Sequence, residues 1–128
     1  MQRALLVVIV LAGLACGPVP APEIGIASVE NVRCDGNLCT ADVNMNVFLP
    51  DGVADGLTVV VSSPATGNAS MTGNVSGELA SNTWIEAQGS APSCEPGMAT
   101  VYVSSLLNLP TGEITVDGKD FEREVRCE

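Results

Sequence analysis

Turn chemistry punctuates this chain so densely that no long helix can run through it. Asp35-Gly36-Asn37, Pro50-Asp51-Gly52, Asp55-Gly56, Thr66-Gly67-Asn68, Ser81-Asn82, Pro96-Gly97, Pro110-Thr111-Gly112 and Asp117-Gly118 break it into short runs. Glycine opens positive φ and proline removes a backbone donor, so each pair favours a reversal over a continuing element. The runs between them read as strands. In Leu38–Leu49, Cys39, Ala41, Val43, Met45, Val47 and Leu49 take one face. Thr40, Asp42, Asn44 and Asn46 take the other, with Phe48 the one apolar exception. That period of two predicts a half-buried strand, with Val43 and Val47 inside and Asp42 and Asn44 outside. Leu57–Ser62 is valine-rich and fits a central strand. In Ala99–Leu107, Val101 and Val103 oppose Thr100 and Tyr102, and near the end Phe121, Arg123, Val125 and Cys127 alternate with Glu122, Glu124 and Arg126. Ile26–Arg33, Ala69–Leu79, Thr83–Ala87 and Glu113–Val116 are weaker strands.

About seven or eight short strands predict one all-β domain over residues 24–128. The expected form is a small antiparallel β-sandwich, immunoglobulin-like and disulfide-stapled; a small closed barrel is the alternative. With two Phe, one Trp and one Tyr, the core must come from Val, Leu, Ala and Met. Cross-links then matter: a disulfide adds about 2–4 kcal/mol to a total stability of about 5–15.

The chemistry available is narrow. There is no histidine, which removes the commonest general base and the commonest zinc ligand. Fifteen acidic side chains against five basic ones give a net charge of −10, which argues against nucleic acid as a partner. No serine has a histidine to activate it, so no catalytic set is assigned and no cofactor is expected. Asp51 and Asp55, beside glycines, are weak Ca²⁺ candidates without the EF-hand order of ligands, and no metal site is assigned. Asp117, Asp120, Glu122 and Glu124 read as a solvated strand face. Ser70, Thr72, Asn74 and Ser76 would line one side of the Ala69–Leu79 strand, either as the wet face of an edge or as a row that binds sugar.

Met1–Ala15 reads as a leader: Arg3 is its positive charge, and Ala4–Ala15 is an unbroken apolar run too short to span a bilayer. It ends Ala12-Gly13-Leu14-Ala15-Cys16-Gly17. Small residues and then a cysteine after an apolar run resemble the lipobox of bacterial lipoproteins, with Gly13 and Leu14 departing from its commonest form. The resemblance implies cleavage before Cys16 and a lipid on its thiol. Gly13-Leu14-Ala15 also satisfies ordinary signal peptidase, which would give a secreted chain. Cysteine parity favours lipid: with Cys16 set aside, four of the five cysteines remain to pair. Loss of Arg3 then leaves 15 acidic against four basic side chains, a net charge of −11. Residues 16–23 carry three prolines and read as an extended tether. Gly17 stands where enteric lipoproteins retained at the inner membrane carry Asp, so the resemblance favours the outer membrane of the envelope.

The four remaining cysteines are expected to pair as Cys34–Cys39 and Cys94–Cys127. Without histidine, a disulfide is the better reading of Cys34 and Cys39 than zinc. Opposing Cys94 to Cys127 centres a hairpin between Pro110 and Thr111. That register opposes Tyr102 to Lys119 and Thr100 to Phe121, and requires a bulge at Asp117-Gly118. Cys34–Cys39 would close a hairpin over the four-residue loop Asp35–Leu38. The expected function is that of a non-catalytic envelope lipoprotein, a structural or binding module held at a membrane by its lipid, with an envelope protein or a glycan as partner. The alternatives are a carboxylate-type hydrolase and an assembly protein that pairs strands through Ala69–Leu79.

Overall fold

The alternating run Leu38–Leu49 forms one uninterrupted strand, with every described odd-numbered side chain from Cys39 to Val47 buried. A computed structural model describes residues 23–49, 54–76 and 79–128. It contains seven strands: β1 Glu23–Asp35, β2 Leu38–Leu49, β3 Gly56–Ser62, β4 Met71–Ser76, β5 Leu79–Ser90, β6 Gly97–Leu109 and β7 Gly112–Cys127. Among the described residues a single 3-10 turn, Pro64–Thr66, links β3 to β4, capped by Ser63 and ended by Gly67 in the left-handed region. The chain is all-β and carries two disulfides.

The strands close into a barrel in the order β1-β2-β5-β4-β3-β6-β7, so the expected open sandwich gives way to the barrel alternative. Seven is odd, and a ring of antiparallel neighbours closes only with an even number. One seam must therefore be parallel, and it falls between β1 and β7. That seam pairs only Arg33 with Arg126 and Cys34 with Cys127. The β4–β5 seam is also narrow, with Thr72 opposite Gln88. The two seams divide the ring into β1-β2-β5 and β4-β3-β6-β7.

The core is made of small branched residues. Its fully buried larger side chains are Ile26, Met45, Leu57, Met71 and seven valines, from Val29 to Val103. Burial per side chain is modest, about 1.5–3 kcal/mol each, and it is the closed ring that accumulates it.

Several boundaries differ from expectation. Asp35 pairs with Leu38, so the first hairpin turns on Gly36 and Asn37 alone; Gly36 has φ 62°, at the position where a type II′ turn calls for glycine. Glu113–Val116 and the terminal run are one strand, β7. The β6–β7 hairpin does turn on Pro110 and Thr111, with Leu109 opposite Gly112. Its register slips between Ser105 and Leu106, leaving Val116 as the extra residue, one position before the expected Asp117-Gly118 bulge. Tyr102 therefore faces Asp120 and Thr100 faces Glu122, each one residue away from the expected partners Lys119 and Phe121. Asp42 and Asn44 are half-buried, because β2 is flanked on both sides along its length.

Candidate functional site

All four paired cysteines meet at one end of the barrel. Cys34 bonds Cys39 across the first hairpin and Cys94 bonds Cys127, with Cα atoms 3.9 and 5.9 Å apart. The first pair oppose each other directly beside the two-residue turn, at a distance below the usual disulfide range. Cys34 is also the β7 neighbour of Cys127, so each bond has one end at the parallel seam. Cys16, the leader and tether residues 1–22, and Asp51 lie outside the described residues.

The other sequence candidates are dispersed. Asp55 is exposed just before β3, its N–H bonded to the Asn108 carbonyl at 2.7 Å. Among the described residues no three Cys, Asp or Glu side chains gather closely enough to hold a metal ion. The acids of β7 are spread along the strand: Asp117 accepts from the backbone of Ile26 and of Gly118, and Glu122 accepts from Thr100. Ser70, Thr72, Asn74 and Ser76 are exposed as a row. Asn74 accepts a 2.5 Å bond from Thr58, which in turn accepts from Asn108 at 3.0 Å, so that row is tied into its own sheet. The expected open edge at Ala69–Leu79 is covered by β5. A Cβ at Gly73 would overlap the Glu86 carbonyl oxygen and one at Gly89 the Ser70 carbonyl oxygen, so these glycines let the two strands meet.

Four of the five basic residues collect along the β1–β7 seam. There side chains replace a ladder. Ile26 donates its N–H to Asp117 at 2.9 Å and accepts from Lys119 at 2.7 Å, and Arg123 donates to the Val29 carbonyl at 2.8 Å. Arg123 also lies 5.1 Å over the Phe121 ring and 3.7 Å from Glu30. A shallow groove of about 180 Å³ opens here between Glu30, Asn31, Arg123, Glu124 and Arg126. Of its charges, Arg123 and Glu30 are engaged with each other across β1 and β7.

The outer face of β1-β2-β5 is chemically different. Trp84, the single tryptophan, is 54% exposed at its centre. Its β2 partner is Asn44, whose amide oxygen is buried with no hydrogen-bond partner among the described residues. One step along, Asn82 donates to Asn46 at 3.1 Å. Beyond Asn46 comes Phe48, 39% exposed, with a depression of about 210 Å³ lined by Glu23, Asn46, Val47 and Phe48. In the other direction Asp42 accepts from the Asn31 amide at 3.0 Å, and Glu86 lies 3.8 Å from Arg33. Around Trp84 the face is thus an aromatic platform amid uncharged amides, with the flanking carboxylates Asp42 and Glu86 engaged and Glu23 at its far end beside Phe48. Sequence reasoning missed it. The alternation of Asn82, Trp84, Glu86 and Gln88 against Ile85 and Ala87 carried the signal, but only the β2–β5 register brings Trp84 beside Asn44 and Asn46.

No protein family matches this sequence, and no curated protein matches it. Among solved structures, the chain is similar to the CARDB domain of the PF1109 protein from Pyrococcus furiosus, whose crystal structure is a complex with di-metal ions. The identity is 13% and the TM-score 0.47, over 84% of this chain and 96% of that one.

Proposed function

We propose that this protein is a non-catalytic binding module of the bacterial cell envelope, held at a membrane by a lipid on Cys16. The observation that carries the reading is the exposed Trp84 among Asn44, Asn46 and Asn82 on a rigid sheet face. A single tryptophan left in water by a domain poor in aromatics costs burial that the core would use, and such residues concentrate at binding surfaces. Two disulfides support an oxidising compartment outside the cytoplasm. Pairing of four cysteines supports Cys16 as the odd one, reserved for lipid. The ring's division at two narrow seams supports an immunoglobulin-like reading of the barrel as two facing sheets. Glu30 and Asp42 oppose each other directly on the convex outer surface, held by Arg123 and Asn31, an arrangement suited to a surface and not to a hydrolase cleft.

The intact mass of the membrane-extracted protein tests the anchor. The expected species begins at Cys16, carries acyl chains and has two disulfides. An unlipidated chain cut elsewhere would show a secreted protein and overturn the anchor.

A further inference from the structure

We infer that the Trp84 face binds a neutral oligosaccharide, an assignment that rests on reading this face as the module's binding site. The chemistry is that of the pyranose ring. One side of such a ring presents C–H groups with partial positive charge, which suit the negative face of an indole. Its rim presents hydroxyls, each both donor and acceptor, and an amide is the uncharged side chain that offers both. Asn82 and Asn46 bond each other at 3.1 Å, which uses one donor of Asn82 and the oxygen of Asn46. The NH₂ of Asn46 and the oxygen of Asn82 then complement a hydroxyl rim. The Asn44 oxygen is buried out of reach of a surface-bound sugar, so the rim contacts fall to Asn46 and Asn82.

Charge selects among ligands. The described cation at this face, Arg33, is engaged by Glu86, so an anionic glycan or phosphate would meet a domain with a large acidic excess and no free cation to hold it. A cationic ligand on the indole needs free carboxylates beside it, and those flanking Trp84, Asp42 and Glu86, are engaged by Asn31 and Arg33, while Glu23 stands at the Phe48 end. From Asn44 to Phe48 the face runs about 13 Å along β2, and the depression by Phe48 and Glu23 extends it. That length fits a chain of sugars, with Phe48 as a second apolar step.

Trp84 is its own reporter, because the chain has no other tryptophan. The full chain is extracted in a detergent without a sugar headgroup and titrated with cellohexaose, mannohexaose and chitohexaose. Oligogalacturonate, tetramethylammonium and dilution of the protein alone are run beside them. The expected result is a saturable change in Trp84 emission with at least one neutral hexaose and none with the charged probes. Asn82→Ala should weaken binding at least tenfold, and Trp84→Ala should abolish it by calorimetry while the melting temperature stays within a few degrees of the unmodified protein. Unchanged emission with every neutral hexaose at millimolar concentration overturns the assignment, as does an equal response to either charged probe. Self-association that requires Trp84 and occurs without sugar also overturns it, yet leaves the face a binding site, now for a second copy. The lipid anchor is read independently by mass, so its loss and the loss of the glycan are told apart.

Discussion

At the scale of the residue, one strand shows how far a side chain's position decides its worth. Val43 and Asp42 are neighbours on β2 and face opposite ways: Val43 is fully buried, and Asp42 is half-buried on the outer face, bonded to Asn31. Val43→Asp would bury an unpaired carboxylate and is expected to unfold the domain at room temperature, or nearly so, since such changes cost several kcal/mol. Asp42→Asn keeps a hydrogen-bonding group and relieves the direct opposition to Glu30, so it should shift stability by no more than about 0.5 kcal/mol. Urea melts of the two variants check this; similar losses would mean that the β2 faces are reversed. Tyr102 shows a quieter residue effect. It is 43% exposed, but a Cβ at Gly118 would collide with its hydroxyl, so the glycine is the seat of the ring on the outer face.

At the scale of the element, the strands are conventional and the two seams carry the individuality. The β4–β5 seam rests on glycine. Gly73→Ala and Gly89→Ala would each drive a methyl into a carbonyl oxygen of the facing strand, and backbone cannot step aside as a side chain does. Each should cost roughly 1–3 kcal/mol. Gly25→Ala, which meets nothing within 4 Å, is the control and should be near neutral. The β1–β7 seam rests on cations. Arg123→Ala should cost about 1 kcal/mol, because its bonds are half exposed, and amide exchange should quicken first in β1 around Val29. Exchange that quickens first in β3 instead would contradict a seam held by Arg123. These devices explain what the sequence concealed. The bounds of β2 were legible because alternation is a local property. The centre of the β6–β7 hairpin was legible from Pro110-Thr111-Gly112, and its register only to within one residue, because a bulge at Val116 leaves no local mark. Closure, the pairing of β4 with β5 and the Trp84–Asn44 juxtaposition all depend on contacts between distant segments, which no local pattern encodes.

At the scale of the whole molecule, an odd-stranded ring with a thin core must close at one parallel seam that lacks a full ladder. Both disulfides lie where that weakness is, since Cys34 and Cys127 are themselves the seam's paired residues. The two bonds should not contribute equally. Cys94–Cys127 joins residues 33 apart in sequence and Cys34–Cys39 residues 5 apart. In the chain-entropy account the longer loop gains roughly 3.7 kcal/mol and the shorter roughly 2. The longer bond also ties the loop after β5 to the end of β7, so its loss releases the last residues of β7, beyond the β6 ladder that ends at Val125. The double variant Cys94→Ala/Cys127→Ala is therefore expected to lose more stability than Cys34→Ala/Cys39→Ala, with exchange protection falling along β7 and the end of β1 together. Alanine is the right replacement because Cys34 and Cys39 are buried, and a serine hydroxyl there would add a desolvation cost of its own. Denaturant midpoints of the two double variants, compared at a common slope, decide the matter. Equal losses, or a larger loss from the short bond, would mean that the short hairpin and not the terminal strand is the limiting element of closure.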